Sequence, residues 1–307
     1  MIPIRFLSQQ LFIFLILTLT LASAAQPPGP VYFEDVLEKR FPTGDISGWT
    51  LEKFCPVSTS VVAMRVLQDY GAMFSAVESV ILPTSCIHAG EGDVLRYQKK
   101  LITKPVDVGG ISLAFQAPAA DALQSAINEA TANGLSISPF DGAIGGQRSY
   151  GDTIRLWNSR FFPAMEYWIK RGRLTTADRD EINGLDLSKK IEKVLEWESR
   201  GIYFSTDRTR SIFTSTAPPG ASQHLSLIAL DVTEFWNNDV RSILNRNGWF
   251  QTVIDDPVHF TYLGFSESEL PGRGLLAVFR GGRQYWIPNM RPQLTEPKAT
   301  PAPTNLY

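Results

Sequence analysis

Helical patterns occupy most of the chain before residue 200, and short strand patterns dominate after it. Residues 118–133 carry alanine and leucine at helical spacing, and Gly134 follows where a left-handed residue commonly ends a helix. The later strand patterns are at 225–232, 249–254 and 259–263. Helices followed by strands predict an α+β fold, with helices packed on a small mixed or antiparallel sheet.

Two further segments carry local predictions. The apolar run Ala72–Leu82 predicts a strand that Pro83 ends. The glycine-rich segment 141–147 predicts a turn, and a helix is expected from about Tyr150 to Gly172.

The chain has 307 residues, of which 44% are hydrophobic and 20% are charged. This composition is that of an ordinary globular protein. The formal net charge is −2. A net charge this small produces too weak an electrostatic field to attract nucleic acid or an anionic membrane, so both are excluded as main partners.

The N-terminus has the layout of a secretory signal peptide. Arg5 precedes the apolar run 11–21, and small residues follow at 22–24. An uncleaved membrane anchor is the alternative, but a run this short is below the length that spans a bilayer comfortably. We therefore expect residues 1–24 to be removed, no stable membrane span afterwards, and export to the periplasm or the extracellular, cell-wall space.

The sequence contains two cysteines, Cys55 and Cys86. In an oxidising compartment such a pair favours a disulfide, although two buried thiols are the alternative. Either way the core must form by packing, because two cysteines in a chain this long do not make a disulfide scaffold.

The first candidate site segment is 218–231, in which a Pro-Pro-Gly turn precedes His224 at the expected start of a strand. Asp231 lies at the far end of that apolar strand. A carboxylate buried there would need a partner, and a metal ion is one. Alternatively, Asp231 caps the following turn and His224 is an ordinary polar loop residue.

The second segment is 254–264, where Asp256 and His259 flank Pro257. In a regular strand, residues three apart point to opposite faces. Pro257 disfavours regular pairing and predicts a bend that lets both side chains converge. The alternative is a tight turn followed by a core histidine.

Taken together, His224, Asp231 and His259 supply nitrogen and oxygen ligands from a chain that has only three histidines. Three protein ligands and one open position are typical of a catalytic zinc site. Asp256 would lie beside the open position as a general base.

Arg148 follows the glycine turn Gly145-Gly146 and opens a predicted helix. An arginine there can donate hydrogen bonds to a substrate carboxylate or a developing oxyanion. The alternative is a surface ion pair with Asp152.

These segments resemble the D-alanyl-D-alanine carboxypeptidase and dipeptidase family of zinc peptidases, which includes the VanY-type enzymes. The run P-G-x-S-x-H-x-x-x-x-A-x-D at 219–231 is similar to the family's zinc signature, and D-P-x-H-F-x-Y-x-G at 256–264 to its second box. The R-S-Y at 148–150 resembles its arginine box. The three boxes occur in the family's order.

The resemblance implies a hedgehog/DD-peptidase-like fold and a role for each matching residue. His224, Asp231 and His259 would bind Zn²⁺, Asp256 would stand where the family has its catalytic glutamate, and Arg148 would contact substrate. Ser222 would support the ligands, and Tyr150 would line the cleft.

The sequence also departs from the family's pattern at four positions. Asp256 replaces a glutamate, Val258 a tryptophan, Leu227 a glycine and Thr153 a glutamine. The departures affect the catalytic and cleft positions more than the ligands.

Two functional hypotheses follow. In the first, the protein is a zinc peptidase that hydrolyses D-Ala-containing peptidoglycan stem peptides. In the second, it is a zinc-containing module that binds such peptides without cleaving them, as the related amino-terminal domain of hedgehog proteins has become an interaction domain. The predicted organisation is a signal peptide (1–24), an N-terminal extension packed on the core (25–105), the peptidase-like domain (106–290) and a disordered tail (291–307).

Overall fold

The computed structural model describes residues 29–41 and 50–292, and from Val31 onward the chain forms one compact unit. The predicted signal peptide and residues 293–307 of the predicted tail lie outside the described residues. Arg291, the first residue of that tail, is bound to the first helix through Glu34 and Asp35.

Nine α-helices lie in this part of the chain. They are α1 (Phe33–Arg40), α2 (Leu51–Phe54), α3 (Val61–Tyr70), α4 (Glu91–Gln98), α5 (Ala117–Ala132), α6 (Tyr150–Lys170), α7 (Thr176–Gly184), α8 (Leu187–Ser199) and α9 (Asn238–Arg246). Short 3₁₀ segments supplement them at Gly71–Ser75, Gly142–Gly145, Ile212–Thr214, Gln223–Ser226 and Glu267–Arg273.

The described strands form three small antiparallel sheets. The strands are β1 (Thr103–Val108), β2 (Ile111–Gln116), β3 (Ala229–Asp231), β4 (Trp249–Gln251), β5 (His259–Tyr262), β6 (Leu275–Arg280) and β7 (Arg283–Pro288). β1 pairs with β2, β6 pairs with β7, and the central sheet has the order β3-β5-β4. The fold is therefore α+β, and its described sheets are antiparallel.

The two helices predicted most clearly are confirmed. α5 begins with Pro118 in its first turn, where a proline leaves no hydrogen bond unmade, and Gly134 follows its end at φ +70°. α6 begins at a capping box, in which the Ser149 hydroxyl accepts from the Asp152 amide and the Asp152 carboxylate accepts from the Ser149 amide.

The predicted strand Ala72–Leu82 is wrong. Gly71–Ser75 is a fully buried 3₁₀ segment, and irregular chain continues to residue 82. A short apolar run is buried whether it is helical or extended, so its hydrophobicity does not distinguish the two conformations.

A hairpin that the sequence patterns did not predict joins β1 to β2. Its two-residue loop is Gly109-Gly110, with φ of +60° and +85°. Paired glycines are among the residues that suit such a loop, because both positions require positive φ.

The N-terminal segment is continuous with the rest of the fold. The expected boundary at 105/106 falls inside β1. Cys55 and Cys86 are joined by a disulfide, with their Cα atoms 5.3 Å apart. Within the described residues, no helix is both long and apolar enough to cross a membrane.

Candidate metal centre

Asp231 and His259 are direct partners in the antiparallel pairing of β3 with β5. Side chains of paired residues lie side by side on the same face of a sheet. Asp231 Oδ1 is 3.0 Å from His259 Nδ1, and both residues are buried.

His224 approaches this pair from a 3₁₀ turn, Gln223–Ser226, rather than from the strand that we expected. The turn is held from both sides: Gln98 donates to the Leu225 carbonyl, and Gln116 donates to the carbonyls of Ser226 and Leu227. These hydrogen bonds engage three carbonyl groups that β3 would need for strand pairing if it began earlier in the chain.

Leu227 links the turn to β3 in a left-handed conformation, with φ +53° and ψ +39°. This conformation is uncommon for a branched side chain and natural for glycine. Leu227 is also one of the positions at which the sequence departs from the pattern that it resembles, where that pattern has a glycine.

Three donor atoms converge in the resulting site. His224 Nε2 is 3.2 Å from His259 Nδ1 and 3.2 Å from Asp231 Oδ1. Ligands bound at about 2.0–2.1 Å in a tetrahedron are separated by about 3.3 Å, close to these distances.

Hydrogen bonding alone satisfies this arrangement poorly. Two imidazole nitrogens face the same carboxylate oxygen and also face each other, so if both carried protons, their N–H groups would oppose. A cation shared by the three atoms removes this conflict. The buried group His224, Asp231 and His259 could therefore hold a metal ion.

The local charges keep Asp231 ionised and His224 neutral. Burial acts to raise the pKa of Asp231, but its interactions with His224, the charge of Arg148 and hydrogen bonds from both histidines hold it well below its ordinary value. Burial, reinforced by the charge of Arg148, lowers the pKa of His224 to about 4. A carboxylate and a neutral imidazole are the protonation states that bind metals.

Arg148 lies in this site and not on the surface. Its Nη2 donates to Asp231 Oδ2, the carboxylate oxygen that does not face the histidines, and its Nε donates to the Ile144 carbonyl at 3.0 Å. Asp152, the alternative partner, instead bonds to Ser149 and Arg155.

The glycines before Arg148 are required by close packing. A Cβ on Gly145 would lie 2.2 Å from the Phe140 carbonyl oxygen, and one on Gly146 would lie 2.6 Å from the Leu113 side chain. The turn that delivers Arg148 can therefore pack against β2 only without side chains at these positions.

Asp256 lies in the bend expected at Pro257. The Asp256 amide donates to the Val253 carbonyl, and the His259 amide donates to the Asp256 carbonyl, so two successive turns precede β5. Gln251 donates to the Pro257 carbonyl and holds the bend against β4.

The preceding residue, Asp255, has φ +66°. Its carboxylate is held between Arg210 at 2.9 Å and Arg280 at 3.0 Å. A left-handed non-glycine residue persists only where its surroundings hold it. This arginine clamp therefore fixes the backbone from which Asp256 projects.

The Asp256 carboxylate has no hydrogen-bond or ion-pair partner among the described residues, and its side chain is half-buried. Burial, with the nearby charge of Asp231, raises the pKa of Asp256 to about 6, against the opposing charges of His259 and Arg148. An unpaired carboxylate with a pKa near neutrality is suited to exchanging protons.

The roles that the resemblance implies for Ser222, as support of the ligands, and for Tyr150, in the cleft, stay predictions. Within the described residues, neither side chain forms a hydrogen bond to the three candidate ligands. Tyr150 packs against Gly220, where a Cβ would lie 3.2 Å from its ring. One residue that does contact a ligand, and to which the motifs assign no role, is Gln223, whose Oε1 lies 2.8 Å from His259 Nε2. No sequence signal identified Gln223 in advance.

The third histidine, His88, belongs to a different cluster. Its Nδ1 is 3.1 Å from Asp93, and its ring packs on Tyr97. It is not part of the candidate metal group.

We compared the chain with models of known protein families and with curated protein sequences, and it matches none of them. The functional assignment therefore depends on the site and on the sequence motifs.

Proposed function

We propose that the protein is a zinc peptidase of the D,D-carboxypeptidase type that hydrolyses D-Ala-containing stem peptides of peptidoglycan. The observation that carries the proposal is the convergence of His224, Asp231 and His259 at separations of 3.0–3.2 Å. The charge of Asp231 raises the pKa of the nearby Asp256, and the guanidinium of Arg148 donates to Asp231.

Two features of the backbone support the resemblance to this peptidase family and to its hedgehog/DD-peptidase-like fold. The antiparallel pair β3–β5 carries Asp231 and His259 as neighbours, as the two motifs require if they form one site. The left-handed conformation at Leu227 is one that the family's glycine would adopt freely.

Zinc in such a site supplies Lewis-acid chemistry, making water a nucleophile near neutral pH and polarising a carbonyl group. Asp256 accepts the proton of the attacking water and returns it to the leaving amine. Its raised pKa suits both steps, since proton transfer is most efficient when the pKa is close to the working pH.

Arg148 has a double role in this proposal. Nη2 fixes the orientation of Asp231 through Oδ2. Nη1 has no hydrogen-bond partner among the described residues, and it is available to donate to a substrate carboxylate or to the oxyanion of the tetrahedral intermediate.

The substrate class comes from the resemblance, and the cellular location from the N-terminal pattern. We place the mature protein in the periplasm or the extracellular, cell-wall space, where a disulfide such as Cys55–Cys86 is stable. Peptidoglycan stem peptides are present in that compartment.

The test is digestion of purified peptidoglycan and of synthetic D-Ala-ending peptides with zinc-loaded protein, followed by mass analysis of the products. We expect loss of D-Ala from the peptides. Peptide binding without any cleavage would reject the peptidase and favour a zinc-containing wall-binding module.

A further inference from the structure

Gln223 is buried in the layer behind the candidate ligands, with 1% of its surface exposed. It directly precedes His224 in the chain, yet its side chain reaches β5 and contacts the other ligand histidine. Its Oε1 lies 2.8 Å from His259 Nε2, the ring nitrogen that faces away from Asp231.

The orientation of the Gln223 amide is determined by its other end. Nε2 donates a hydrogen bond of 2.7 Å to the backbone carbonyl of Tyr70. A carbonyl can only accept, so the amide nitrogen must face Tyr70 and the amide oxygen must face His259. Rotating the amide by 180° would place two acceptors together at Tyr70.

Two threonine hydroxyls hold the same oxygen in place. Thr261 donates to Gln223 Oε1, and Thr252 lies 3.3 Å from that oxygen and 2.7 Å from the Thr261 hydroxyl. Both threonines are completely buried. Gln223 Oε1 is therefore a fixed acceptor that cannot turn away from His259.

We propose that Gln223 is a positioning residue that selects the His259 tautomer able to bind the metal. Oε1 only accepts and is the shorter of the two contacts to His259 Nε2, the other being the Thr261 hydroxyl at 3.3 Å. It therefore favours a proton on Nε2, in competition with Asp231 Oδ1, which favours one on Nδ1. With the proton on Nε2, Nδ1 presents a lone pair towards His224 and Asp231. A ligating histidine commonly donates its second ring N–H to such an outer acceptor, which orients the ring and raises its basicity. This inference rests on the proposed metal site and adds a residue to which the sequence motifs assign no role.

Substitutions of Gln223 distinguish a role in positioning His259 from a role in core packing alone. Gln223→Leu keeps the approximate volume and removes the acceptor, whereas Gln223→Glu keeps an acceptor towards His259 and loses the donor to the Tyr70 carbonyl. We expect zinc affinity, measured by competition with a chelating dye, to fall about 10–100-fold in Gln223→Leu. Gln223→Glu should bind zinc within a few-fold of wild type, or more tightly.

Thr252→Val is the matched control, since Thr252 contacts Gln223 but not His259. It should lower the melting temperature without a comparable loss of zinc affinity. A folded Gln223→Leu protein with wild-type zinc affinity would overturn the inference.

The tautomer can also be measured directly in metal-free wild-type protein, because the chain contains only three histidines. In ¹⁵N imidazole spectra at pH 8, we expect His259 to carry its proton on Nε2. A proton on Nδ1 would overturn the inference even if Gln223→Leu fails to fold. Failure of wild type to bind zinc, with the Nε2 proton present, would instead reject the proposed metal site and leave the tautomer assignment supported.

Discussion

His259 Nδ1 and Asp231 Oδ1 lie 3.0 Å apart because the two residues face each other across an antiparallel strand pair. Their separation is set by backbone pairing and not by flexible side chains. His224 then joins from a turn that is itself held by Gln98 and Gln116. Backbone pairing and the bonds that hold the turn therefore set the relative positions of the three candidate ligands.

The first prediction concerns the ligands. Asp231→Asn and His259→Ala should each reduce zinc content from about one ion per chain to background, because two remaining ligands bind zinc weakly. Metal analysis after dialysis measures this. His88→Gln is the matched control, since His88 is buried but bonded to Asp93 outside the site, and it should retain zinc. Zinc retained by both ligand variants would contradict the assignment.

The second prediction concerns the general base. Asp256→Asn should lower turnover of D-Ala-ending peptides by about 10²–10⁴-fold with zinc content unchanged, because it keeps the shape and removes the proton acceptor. Asp256→Glu should retain or raise activity, since glutamate is the residue at the corresponding position of the motif that the sequence resembles. If wild type binds peptides without hydrolysis and Asp256→Glu gains activity, the protein is a binding module.

The third prediction concerns the left-handed backbone at Leu227. Leu227→Gly should be more stable than Leu227→Ala by about 1 kcal/mol, because both remove the side chain but only glycine adopts positive φ freely. Leu230, in regular β3, is the control, and there alanine should be more stable than glycine by about 0.5–1 kcal/mol. Urea unfolding of the four variants gives both differences. If glycine and alanine rank in the same order of stability at both positions, the backbone at Leu227 is not strained.

The fourth prediction concerns the pH dependence of stability in the metal-free protein. The pKa of Asp256 is raised from 3.8 to about 6 in the fold, so ionisation destabilises the fold as the pH rises through this interval. Asp256→Asn removes this effect and should be more stable than wild type by about 1–2 kcal/mol at pH 7.5, with the gain vanishing near pH 4.

Titration of His224 changes the unfolding free energy in the opposite direction over nearly the same pH range. Its pKa is lowered from 6.5 to about 4, so its contribution to stability is present above pH 6.5 and is lost as the pH falls towards 4. His224 is present in both proteins, so the difference between their unfolding free energies reports Asp256. A difference independent of pH would show that Asp256 is not perturbed.

The fifth prediction concerns the arginine clamp on Asp255. Replacing both Arg210 and Arg280 by alanine should lower turnover on the order of 10-fold or more without loss of zinc, because small displacements of a catalytic group are costly. Arg96→Ala, which removes an exposed ion pair with Asp93, is the control and should leave turnover unchanged. Wild-type turnover in the double variant would show that the clamp does not position Asp256.

Elements that depend on local chemistry could be predicted from the sequence. The helical spacing of apolar residues in α5, the start of α6 near Tyr150 and the bend at Pro257 each depend on neighbouring residues, and the structure contains all three. Because the chain has only three histidines, His224 and His259 could be predicted as candidate metal ligands from the sequence.

Tertiary structure decided the rest, because strand register and buried hydrogen bonds join residues that are distant in the chain. The pairing of Asp231 with His259 depends on β3 and β5 meeting in one register, and a shift of one residue would move these side chains to opposite faces. The role of Gln223 could not be recognised from the sequence, because the orientation of its amide is set by the carbonyl of Tyr70, at the end of a remote helix. Asp256 is distinguished because its carboxylate has no hydrogen-bond partner among the residues that the structure describes, a property that no local pattern records.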